Sequence, residues 1–209
     1  MPDQEPIQKS RYTLSKVSVA AGIVIVVGFI LSIQGVVNRY HLAHIQSSYR
    51  EQEIKSGRYI ECDISRDRLV GLYYTELDGE TMFSPYSVIN ADTNTLYCLV
   101  AVNEDMDYYV SLKLPSEYQE DFAKIIRSDT DTLHITGKFK KKSPLLFYEK
   151  IALCLGIDDE SAVRRMVSNQ YQITTVNPKD VKNTLFIGIL LLAVGILVLF
   201  VTVGREQDF

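Results

Sequence analysis

The chain has 209 residues, with 22 Lys and Arg against 26 Asp and Glu and a formal net charge of −4. Its mean hydropathy of +0.01 averages two unlike populations, apolar runs towards the ends and a polar, mixed-charge middle. That length holds one ordinary domain plus two membrane helices, and the acidic balance argues against a nucleic-acid binder, which carries a basic footprint.

Residues 1–16 are polar, with Pro2 and Pro6, and read as a tail. Residues 17–37 carry no charged side chain and form the first expected transmembrane helix; about 20 apolar residues cross roughly 30 Å of hydrocarbon. Lys9, Arg11 and Lys16 precede the run as they would in a signal peptide. The run nevertheless exceeds the about 7–15 residues of a signal's apolar region, and no small-residue cleavage site follows, so an uncleaved anchor is expected. Ser18/Gly22 and Gly28/Ser32 set small residues at four-residue spacing, which lets two helices approach closely in lipid. The second apolar run is the simplest partner, and a homo-oligomer is the alternative.

Residues 38–57 contain no Pro and no Gly until Gly57, and Leu42, Ile45 and Tyr49 recur at helical spacing. A juxtamembrane helical stalk ending at Gly57 is expected. His41 and His44 on it have a spacing that suits a metal, but no carboxylate or Cys accompanies them, and no metal or cofactor is expected.

Residues 58–178 read as an α+β domain. Residues 58–64 alternate, 69–75 are rich in apolar and aromatic side chains, and 82–90 follow the turn Asp78-Gly79. Residues 95–102 and 108–114 flank the acidic tip 103–107, a hairpin signal. Pro115 and Ser116 then open a helix to about Ser128, with Ser116 and Gln119 at capping-box spacing. Residues 132–140 return to strand, with Leu133, Ile135 and Phe139 inward and a kink at Gly137. Residues 145–155 and 158–168 read as short helices separated by Gly156, and Asp158, Asp159 and Glu160 suit the second one's start. Residues 171–176 form a last strand, and Pro178 breaks the chain before the second apolar run. The second expected transmembrane helix, 181–204, offers Gly188, Ala193 and Gly195 as small residues, and 205–209 is a tail. Cys62 alternates in phase with Ile60 and Ile64, and Cys98 with Leu96, Val100 and Val102, so both read as buried apolar residues.

Strand 110–115, the following helix and the strand Leu133-His134-Ile135-Thr136-Gly137-Lys138 resemble the strand–helix–strand passage of OB-fold domains, which implies a small five-stranded barrel over about a third of the chain. The whole layout is similar to a family of two-span bacterial membrane proteins of Gram-positive type and of unknown function, so the resemblance implies no activity.

One dense basic run, Lys138-Phe139-Lys140-Lys141-Lys142, is the candidate contact for anionic headgroups or an acidic partner. Its competing readings are an OB-type nucleic-acid groove with Tyr73, Tyr74, Tyr97, Tyr108 and Tyr109 stacking, and a strand end kept soluble by lysines. The three histidines, His41, His44 and His134, meet no nucleophile motif, and GxSxG, HExxH, Walker and GxGxxG patterns are absent from the sequence. Charge-free spans also speak against a pore or pump. The expected protein is a non-enzymatic interaction domain held at the bilayer surface. Its expected partners are the lipid bilayer and a membrane protein or a second copy of the chain. Flanking charges tie, Lys9, Arg11, Lys16 and Arg205 on the tails against Arg39, Arg50, Lys179 and Lys182 on the domain side; three basic residues before the first run against two after it favour cytoplasmic termini and a domain outside. The alternatives are an accessory subunit of a membrane complex, or an enzyme or sensor acting on a lipid or envelope substrate.

Overall fold

A computed structural model describes residues 16–77, 80–85, 95–142 and 148–207. The chain divides into two compact units, a helical one from Met1–Val37 and Lys182–Phe209, and a mixed one, Asn38–Val181.

The helical unit is built from α1 (Lys16–Ala43) and α5 (Pro178–Gln207), both long and apolar enough to cross a membrane. They pack antiparallel along a narrow seam. Ala21, Gly28 and Gly35 are buried at seven-residue spacing, the repeat that keeps one face on a partner helix. A Cβ placed on Gly28 would stand 2.8 Å from the Leu192 nitrogen, and one on Gly35 would stand 2.6 Å from the Leu185 Cα. Of the small residues singled out from sequence, Gly28, Ser32, Gly188 and Gly195 lie on this seam. Gly22 does not, having open space where a Cβ would go, and Ala193 is exposed. Ser32 lies between Gly28 and Gly35 on the seven-residue stripe, whereas Gly22 is one position past buried Ala21 and so is turned about 100° away. α5 starts at Pro178, earlier than position 181, because Pro at the first helical position lacks an N–H that the helix would leave unpaired anyway. Asn177 caps it, its Oδ1 accepting from the Lys179 N–H at 2.9 Å.

In the mixed unit, the described strands form one curled, seven-stranded sheet. They are β1 (Tyr59–Ile64), β2 (Leu69–Leu77), β3 (Glu80–Pro85), β4 (Thr95–Ala101), β5 (Tyr109–Pro115), β6 (Leu133–Lys141) and β7 (Val167–Thr175), in the order β1-β6-β7-β5-β4-β2-β3. Among these pairings β5–β7 alone is parallel. β1 and β2 are consecutive in the chain yet pair with β6 and β4 at opposite flanks, the turn Arg66–Arg68 taking the chain round the corner. Between β5 and β6 lies α2 (Gln119–Arg127), which packs Phe122 and Ile125 into the core.

The main core joins Ile60, Cys62 and Ile64 of β1 to Leu96, Cys98 and Val100 of β4, Leu112 and Leu114 of β5, and Ile135 and Phe139 of β6. A second cluster lies on the other side of β4, where Tyr97 and Leu99 meet Ile151 of α3 (Tyr148–Leu155) and Val163 of α4 (Glu160–Met166). Burial on both faces explains why β4 is an unbroken apolar run. Asp159 caps α4, accepting from the Ser161 N–H at 2.9 Å.

Three local expectations are corrected. The helical stalk over 38–57 forms only as far as Ala43, where α1 ends, and an extended strap with a 3-10 turn at Glu51–Glu53 follows. Tertiary contacts override the helical spacing, for Tyr49 and Ile54 enter the core. The Tyr49 N–H donates to the Val102 carbonyl at 2.8 Å, and the Tyr49 hydroxyl donates to the Tyr59 carbonyl at 2.7 Å. The capping box at Ser116 and Gln119 is replaced by a 3-10 turn, Ser116–Tyr118, with no side-chain cap on α2. β7 begins at Val167, four residues before the expected strand, because α4 stops at Met166 and the chain reverses into the parallel pairing with β5. Gly137 serves a close approach, since a Cβ there would overlap Cγ2 of Ile173. The turn at Asp78-Gly79 and positions 86–90 and 145–147 lie outside the described residues.

Candidate functional site

Strand alternation divides the basic run. Phe139 is fully buried in the core, so its neighbours Lys138 and Lys140 point to the outer face of β6. Lys138 is half-buried, its Nζ donating to Asn38 Oδ1 at 2.9 Å and lying 5.2 Å from the Tyr59 ring centroid. Burial, and then the Lys140 charge, holds its ammonium below the usual lysine range. Lys140 lies opposite Gln172 and Lys141 opposite Tyr171, both exposed, while the Lys142 N–H donates to the Gln170 carbonyl at 3.0 Å. The structure therefore does not gather the four lysines into one cluster. Lys138 is occupied within the domain, and Lys140 and Lys141 are presented outward. Of the tyrosines weighed as stacking groups, Tyr97 is 7% exposed and belongs to the second core cluster. The side chains of Tyr73 and Tyr74 lie outside the described residues.

The same outer face carries a group that the sequence reading did not assemble. Glu61 and Asp63 alternate with buried Ile60, Cys62 and Ile64, and β1–β6 register sets Asp63 directly across from His134. Nδ1 of His134 is 2.7 Å from Asp63 Oδ1, and Nε2 is 3.1 Å from Glu61 Oε1. Asp63, and then Glu61, raises the imidazole above its ordinary pKa by accepting from it. These side chains, with Ser47 and Ser48 of the strap, Ser65, Arg68 and Glu104, line an open cleft of about 400 Å³. Alternation alone predicts that Glu61 and Asp63 share a face. Their meeting with His134, 71 residues further on from Asp63, depends on a strand register that no local signal carries.

Chemically, the cleft holds charge and protons. With both ring nitrogens facing carboxylates, His134 has no lone pair turned towards Ser47, Ser48 or Ser65 to serve as a general base. Burial pushes the Cys62 thiol up to about 12, which keeps it from being a thiolate near neutral pH. Among the described residues no group of three or more His, Cys, Asp or Glu is placed to hold a metal ion. His41 and His44 sit at the end of α1 and just beyond it, where the His44 ring stacks on Tyr40 with centroids 4.4 Å apart.

Compared with protein-family models, curated proteins and solved structures, the chain matches none.

Proposed function

We propose that the chain is a membrane-anchored, non-enzymatic interaction domain, held at the bilayer surface by a transmembrane helix on each side of the α+β unit. The exposure of the two helices carries this reading. Outside the glycine seam the exposed surface of their apolar runs is mostly hydrocarbon, with Phe29 57%, Phe186 68% and Phe200 77% exposed. In the apolar windows of α1 and α5 only 17% and 11% is buried, unlike the core helix of a soluble domain. Apolar surface left in water costs about 25 cal/mol per Å², a cost that a lipid solvent removes.

The α+β unit is partly OB-like in this reading. In support stand the parallel β5–β7 pair, α2 between β5 and β6, and the first two strands, β1 pairing with β6 and β2 with β4. Ile, Leu and Val dominate the main core, so a partner would be met on the outside, at the tip 103–107 or at Lys140 and Lys141 with Lys138 and Lys142 beside them. Asn103 builds that tip, its Oδ1 accepting from the Tyr108 N–H at 3.0 Å. Partner classes are the lipid headgroups, an acidic membrane protein, or a second copy. Topology reporters test the reading, one at the C-terminus and one inserted in the tip 103–107. The two on opposite sides of the membrane is the expected result, with the tip outside; both on one side overturns it.

A second reading, a sensor at the membrane surface, is favoured by one observation, the cleft around Glu61, Asp63 and His134.

A further inference from the structure

Two carboxylates bracket one imidazole on the outer face of β1–β6, and anchoring or docking requires neither. An ionised carboxylate only accepts hydrogen bonds, whereas a neutral imidazole has one N–H and one lone pair. Contacts of 2.7 Å at Nδ1 and 3.1 Å at Nε2 are therefore both satisfied only when the ring carries two protons. The geometry points to a proton-operated clasp in which doubly protonated His134 ties β1 to β6 through Asp63 and Glu61, and loss of one proton releases the β1 edge beside the cleft. The neutral ring must turn a lone pair towards one carboxylate oxygen, leaving the Glu61 and Asp63 charges without the cation between them.

The rest of the surroundings is mixed in sign. Glu104, from the tip between β4 and β5, faces the same cleft and favours the cation, and Arg68, from the corner after β1, opposes it. Ser47, Ser48 and Ser65 are its uncharged walls. Asp129, just before β6, is held by Arg66 at 2.7 Å. β1 is also where the strap attaches, for the Glu61 N–H donates to the Gln46 carbonyl at 3.1 Å. Releasing the clasp thus loosens β1 and the strap residues that wall the cleft together.

The sign of the pH effect follows from the raised imidazole value. The clasp's contribution is complete below about 6.5, the ordinary histidine value, and is lost as pH rises through the folded-state value above it.

The test uses the purified full-length chain, whose three histidines give three ring Cε1–H resonances. The resonance missing in His134→Gln is expected to titrate above about 6.5. The double variant Glu61→Gln/Asp63→Asn keeps the imidazole, so it serves even if His134→Gln fails to fold. It is expected to bring that midpoint back towards the ordinary value. Amide exchange of β1, corrected for its intrinsic pH dependence, should quicken several-fold across the wild-type midpoint and stay flat in the double variant. A His134 midpoint at or below the ordinary value, or one that the double variant leaves unmoved, overturns the proposal.

Discussion

Gly28 of α1 lies against Gly188 of α5 so closely that a Cβ on Gly28 would stand 3.0 Å from the Gly188 carbonyl oxygen, and one on Gly188 2.5 Å from the Ser32 nitrogen. Backbone packed on backbone is how helices associate where lipid tails already satisfy apolar side chains.

Gly188→Leu is accordingly expected to separate the helix pair and lower stability by about 1–3 kcal/mol, the usual range for overpacking. Gly22→Leu, at a position with open space, should leave it unchanged. Thermal denaturation of both variants in mild detergent distinguishes the seam from a general aversion to bulk.

Tyr49→Phe removes the hydroxyl that donates to the Tyr59 carbonyl at 2.7 Å, at a residue only 2% exposed. A loss of about 0.5–1.5 kcal/mol is expected in chemical denaturation, since the ring and its edge contact with Phe139 remain.

Gly137→Ala places a methyl on Cγ2 of fully buried Ile173 and should destabilise by about 1–3 kcal/mol. Because the two side chains collide directly, Ile173→Ala should cost less in the Gly137→Ala background than in the wild type. A double-mutant cycle measures that coupling.

Thiol labelling should separate the three cysteines. Cys154 is exposed, whereas Cys62 and Cys98 are buried, and burial raises both of their thiols. One thiol per chain is expected to react in the native state and three in denaturant.

Much of the fold was legible because local chemistry and tertiary environment agree. The alternation of Ile60, Cys62 and Ile64, the apolar run from Leu96 to Val102, and Pro115 and Gly156 as breaks all correspond to observed elements. Residues 44–57 were not legible, since Leu42, Ile45 and Tyr49 have helical spacing but Tyr49, with Ile54, is drawn into the core of a sheet built mostly from later residues. The lysine run was visible as charge, yet β6 turns Phe139 into the core, ties Lys138 to Asn38 and leaves Lys140 and Lys141 facing outward. Glu61, Asp63 and His134 stayed hidden for the converse reason, each being an ordinary outward strand residue until β1 and β6 come into register.

Alkaline carbonate extraction of membranes from cells making the full-length chain tests most directly whether α1 and α5 are solvated by lipid. Retention in the pellet, with release only by detergent, is the expected result. Recovery of the chain in the carbonate supernatant, or in the soluble fraction after detergent-free lysis, would contradict it.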